Sequence, residues 1–130
     1  MGLFFSIQSM ADVQVGGTYR PYLHCESSRG GVSVAISQNV DLKDTFAPYR
    51  VSVEKKAGSK EVKLENIVAR SVPIRHKDVQ AVLEGNFEKA GYRFQIFLMR
   101  QWKDRGQVAY LFDNLSARNT IYCQRIITGF

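Results

Sequence analysis

The sequence predicts an α+β fold dominated by antiparallel sheet, a small barrel or a strongly curved sheet, with one principal α-helix near residues 78–90. Three observations carry this expectation. Apolar and polar residues alternate with period two through most of the chain, the pattern of half-buried strands. Turn residues punctuate those runs at short intervals. A single segment, from Asp78 to Gly91, changes to helical spacing.

Taken in order, Gly16-Gly17 ends an apolar amino-terminal arm, residues 1–15, and the rest of the chain, residues 16–130, reads as a single α+β domain. Thr18–Cys25 reads as a strand in which Pro21 marks an edge or a bend, because proline cannot donate to a ladder. Glu26–Gly31 is a turn. Val32, Val34 and Ile36 alternate with Ser33, Ala35 and Ser37, as a second strand requires. After the loop-like Asp41–Pro48, Val51 and Val53 form one arm of a hairpin, Ala57-Gly58-Ser59 its turn, and Val62 and Leu64 the return. Ile67–Ile74 prolongs that return and ends near Pro73.

The predicted helix rests on Val79, Val82, Leu83, Phe87 and Ala90, with Asp78 as amino-terminal cap and Gly91 as stop. On that reading Val82, Leu83 and Phe87 pack on the sheet, and Phe87 is the costliest of them to truncate. Gly85 weakens such a helix by about 1 kcal/mol relative to alanine. A final strand spans Thr120–Ile127. With only one crossover helix, few strand pairs can be parallel.

A chain of 130 residues, 45% hydrophobic and 23% charged, has the composition of one folded domain rather than a disordered tail. Its net charge of +6 is uneven. Residues 1–54 carry four Lys/Arg against five Asp/Glu, and residues 55–130 carry fourteen against seven. The excess therefore sits in the carboxy-terminal part and favours anionic or polar partners. Cys25 and Cys123 have neither metal spacing nor the density of a disulfide scaffold. They read as two reduced, partly buried thiols, with an interstrand disulfide as the alternative.

The segment Met1-Gly2-Leu3-Phe4-Phe5-Ser6-Ile7 lacks the basic start and long apolar run of a secretory signal, and nowhere are eighteen consecutive residues apolar. Gly2 and Ser6 fit the short pattern for myristoylation, but the segment reads as an unlipidated apolar arm. A cytoplasmic or virion-associated location is expected.

The richest stretch is Tyr92–Asn114. Aromatic residues Tyr92, Phe94, Phe97, Trp102, Tyr110 and Phe112 interleave with Arg93, Arg100, Lys103 and Arg105 around the turn Lys103–Gly106. Apolar groups occupy both faces of its first strand, so one face can enter a core while the other meets a partner. Arg29-Gly30 and Arg105-Gly106 open outgoing strands in the same way, which reflects shared turn chemistry.

Catalytic chemistry is not expected. His24 and Cys25 are adjacent in a strand and point to opposite faces, and His76 reads as structural. Nucleophile-elbow, Walker-type and dinucleotide motifs are absent from the sequence. No cofactor and no metal are expected. Glu84 and Glu88, at i and i+4 on the predicted helix, fall on its solvated face.

Two binding readings remain. The first is a structural or assembly protein, a homo-oligomer or a subunit of a larger assembly of virion, phage-tail or secretion-machine type. It would contact neighbours through Leu3, Phe4, Phe5 and Phe130 at the apolar ends and through Arg93, Arg100, Trp102, Lys103 and Arg105 on the hairpin. The second is a single-stranded nucleic-acid binder with a five-stranded oligonucleotide-binding barrel, stacking bases on aromatic rings at roughly 1–3 kcal/mol each.

Overall fold

A computed structural model of the chain describes residues 19–40, 48–57, 60–116 and 118–126. The alternating runs become eight strands: β1 (Tyr19–Glu26), β2 (Val32–Asn39), β3 (Tyr49–Ala57), β4 (Lys60–Val72), β5 (Val79–Phe87), β6 (Tyr92–Lys103), β7 (Gly106–Asp113) and β8 (Arg118–Arg125). Each pairs antiparallel with the next, and β8 returns to β1 to close a barrel in simple sequence order. Closure pairs the two end strands with each other. The topology is up-and-down, with eight strands in place of the five of an oligonucleotide-binding barrel.

The inward rows account for the alternation seen in the sequence. Val34, Val53, Ile96, Leu111 and Ile121 are buried and belong to one hydrophobic cluster that fills the lumen. An eight-stranded ring is just wide enough for such filling. Pro21 sits where the β1–β2 register shifts, so the bend expected there is present. β4 ends at Val72, directly before Pro73. Gly30 (φ 74°) and Gly106 (φ 130°) both adopt backbone conformations that side chains disfavour as they open β2 and β7.

The expected helix is not formed. Residues 79–87 are strand β5, followed by a three-residue 3-10 turn, Glu88–Ala90. Two features imitate helical spacing. A register shift between Val79 and Ala81 breaks the alternation against β6, and β5 is apolar on both faces. Leu83 points inward opposite Ile96, while Val82 points outward between Val72 and Phe97, yet both are buried. Gly91 does stop the turn, with φ 62°, as its stop signal implied. Phe87 is only half-buried. Glu84 therefore lies on a strand and Glu88 in the turn.

The thiol expectation is also corrected. Cys25 and Cys123 face each other across the β1–β8 seam, fully buried, and form a disulfide. Residues 98 positions apart became direct neighbours through barrel closure, which no local pattern announces.

Candidate partner-binding face

The β6–β7 hairpin turns at Asp104-Arg105, and its register shifts between Leu98 and Trp102. Across the shift β6 advances four residues while β7 advances two, and the tip lies close to β8. Gly106 makes this approach feasible, because a Cβ there would lie 2.4 Å from the carbonyl oxygen of Cys123. The Gln124 amide then donates to the Arg105 carbonyl at 3.3 Å. The tip is thus held against the barrel wall.

On this tip Arg100, Lys103 and Arg105 are exposed, and Trp102 is 63% exposed. Arg93 is exposed too, but at the opposite end of β6, and does not join them. Leu3, Phe4, Phe5 and Phe130 lie outside the described residues. Of the six aromatic residues expected to divide between core and surface, Tyr92 and Phe94 are buried. Phe97 and Phe112 meet edge-to-face at 5.2 Å, both on the outer wall.

Arginines also lie over tyrosine rings, of which Tyr110 and Tyr122 point outward from β7 and β8. The Arg118 guanidinium lies 4.7 Å from the Tyr110 ring centre, Arg125 5.4 Å from Tyr22, and Arg105 6.0 Å from Tyr122. Such stacks hold long cations flat on the wall and keep positive charge next to aromatic area. No family model matches this chain, and no curated protein or solved structure matches it.

A cleft of about 540 Å³ adjoins the tip. Its walls include Asp104, Arg105, Tyr122 and Gln124, with His24 and Glu26 from β1. His24 Nε2 is 2.9 Å from Glu26 Oε1, so the imidazole is engaged on the outer wall while Cys25 points inward. His76 accepts a hydrogen bond from the Asp78 backbone N–H at 3.1 Å in the turn before β5. Among the described residues, no three His, Cys, Asp or Glu side chains converge as a metal site would require. No helix among them is long and apolar enough to cross a membrane.

One polar cluster escaped the sequence reading. Lys55 Nζ donates to Asp113 Oδ2 at 2.8 Å and to Ser116 Oγ at 2.7 Å. The Tyr92 hydroxyl donates to the same Asp113 oxygen at 2.7 Å, and the backbone N–H groups of Leu115 and Ser116 donate to its partner oxygen, each at 3.0 Å. Burial alone pushes the Asp113 carboxyl up. The Lys55 ammonium, the Tyr92 hydroxyl and the two backbone donors outweigh it and hold the group below its ordinary value. Burial, then the bond to and charge of Asp113, push the Tyr92 phenol well up. A signal was present: Lys55 continues the inward row of Val51 and Val53, so a charge there had to meet a buried partner.

Proposed function

We propose that this protein is a non-catalytic subunit of a larger assembly and contacts an anionic protein neighbour through the β6–β7 tip. The observation that carries this is Trp102, 63% exposed on a tip anchored to β8 and flanked by Arg100, Lys103 and Arg105. Tryptophan and arginine dominate the energetics of protein contacts, and a fixed platform loses little freedom on binding. The filled lumen supports a role for the outer wall rather than the interior. A virion, phage-tail or secretion-machine setting suits such a module. The buried disulfide supports the virion-associated location over a reducing cytoplasm, since disulfides persist in oxidising surroundings.

The test is the assembled mass of purified protein at low and high salt. Reversing Arg100 and Lys103 to glutamate should reduce assembly, most strongly at low salt, because exposed charges are screened over about 8–10 Å near physiological ionic strength. Trp102→Ala should reduce it at every salt concentration. A monomer unaffected by these changes would reject the proposal.

Nucleic-acid binding remains the second reading, favoured by the outward Phe97, Phe112 and Tyr110 close to Arg118. It requires that the monomer retain oligonucleotides at low salt and lose them on Trp102→Ala.

A further inference from the structure

The barrel wall is not evenly closed. β4 runs Lys60–Val72, but β5 pairs with it only from Ala69 to Val72. From Glu61 to Val68, β4 has register partners on the β3 side alone. The Asn66 N–H is satisfied by the Ser52 hydroxyl at 3.0 Å, at a kink where Asn66 takes φ 53°. Among the described residues, no strand or turn bonds to the β5 side of this stretch.

Two further features mark the place. Where β5 departs, a cavity of about 400 Å³ opens between the strands, lined by Val68, Ala69, Arg70, Glu84, Gly85 and Asn86. The apolar side chains beside it are incompletely covered: Val62, Leu64 and Phe87 are half-buried, and Val68 is 50% exposed. An unpaired edge above partly covered apolar groups is an acceptor for an extended apolar segment.

The geometry points to this chain's own segment Leu3–Ile7 as that segment, added along the Glu61–Val68 edge of β4. Its apolar residues suit both sides of the edge. In an extended conformation Leu3, Phe5 and Ile7 share one face and can cover Val62, Leu64 and Phe87, while Phe4 and Ser6 share the other, the side on which Val68 is 50% exposed. The tether is long enough. Arg20, next to Tyr19, lies on one ladder row with Gln38, Tyr49 and Ala69, so three strand spacings, about 14 Å, separate the start of β1 from the edge. Residues 8–18 span up to about 36 Å when extended. A tether of this reach keeps the segment at an effective concentration that a second copy in dilute solution does not match. The inference is independent of what the tip binds. It removes the arm from the contacts available to a neighbour and leaves assembly to the tip.

Amide hydrogen exchange on the full chain tests it, at a concentration where the protein is monomeric. We expect edge-facing amides within Glu61–Val68 to exchange at least tenfold faster in a Leu3→Asp/Phe5→Asp variant. Amides of Ile96 and Leu111, deep in the barrel, should be unchanged and so report that the variant is folded. If those core amides also accelerate, a peptide of residues 2–9 added to the variant should restore protection at the edge first. Equal exchange at Glu61–Val68 in both chains overturns the assignment. Protection that appears only as concentration and mass rise also overturns it, because a second copy then covers the edge. Failure of the proposed function shows separately, as unchanged mass in the Trp102 and tip-charge variants.

Discussion

Lys55 and Asp113 meet across the barrel rather than along its wall. Their strands, β3 and β7, lie on opposite sides of the eight-strand ring, yet the ammonium and carboxylate approach to 2.8 Å with side chains 5% and 0% exposed. Tyr92 and Ser116 complete the bridge, so β3, β6, β7 and the loop after β7 are tied at one end of the lumen. A buried pair of this kind contributes little beyond an apolar isostere, but half of one is costly.

Lys55→Met should therefore destabilise by about 3–5 kcal/mol, since it leaves a carboxylate buried without its counter-ion. The double variant Lys55→Met/Asp113→Asn should be less unstable than the sum of the two single changes. Urea midpoints at constant slope measure this. Simple additivity would show that the groups do not act as a pair.

The same cluster sets two limits on stability with pH. Asp113 has a folded-state pKa below its unfolded value, so its contribution is complete above about pH 4 and disappears as pH falls through the lower folded value. Tyr92 has a folded-state pKa above its unfolded value, so its contribution is complete below about pH 10 and is lost as pH rises further. Asp113→Asn should flatten the acid limb of a thermal-midpoint profile, and Tyr92→Phe the alkaline limb. Limbs that persist unchanged would place their origin elsewhere.

Reduction of Cys25–Cys123 should loosen the β1–β8 seam, where only Leu23–Glu26 faces Tyr122–Arg125. A crosslink between residues 98 apart constrains the unfolded chain by roughly 4–5 kcal/mol on loop entropy. A Cys25→Ala/Cys123→Ala variant should lose about 2–5 kcal/mol. Because both sulfurs are fully buried, the native bond should resist mild reductant until denaturant is added, as alkylation and mass measurement will report. Ready alkylation in native buffer would contradict this placement.

Truncation should rank Phe94 above Phe87. Phe94 is 3% exposed and its ring lies against Gly85, where a Cβ would come within 2.5 Å, whereas Phe87 is half-buried. Phe94→Ala should cost about 3–5 kcal/mol, and Gly85→Ala about 1–3 kcal/mol through overpacking. Calorimetric midpoints decide the order. A larger loss for Phe87→Ala would mean that its ring is covered by something beyond the described residues.

Much of this was legible in the residues themselves. Strict alternation in Val32–Ile36 and Val51–Val53, the proline breaks at Pro21 and Pro73, and the Arg-Gly openings of two hairpins placed the strands, because side-chain period, proline's missing N–H and glycine conformation act within a few residues. The tip cations and Trp102 were nominated from their neighbours in sequence, and the structure brings Arg100, Trp102, Lys103 and Arg105 together while leaving Arg93 apart. Periodicity fails at β5 because it assumes one buried face. Val82 is buried on the outer wall by Val72 and Phe97, whose arrival depends on β4 and β6.

Local order, then, belonged to the sequence: which residues extend, where they turn, and where positive charge collects. Tertiary structure alone decided which distant groups meet. Cys25 reached Cys123 and Lys55 reached Asp113 only once eight strands had curled into a ring, and β5 leaves β4 before Val68 because its pairing with β4 covers only Ala69–Val72. The reason is physical: strand formation is governed by neighbours a few bonds away, whereas closure depends on the accumulated twist and register of every strand between the two partners.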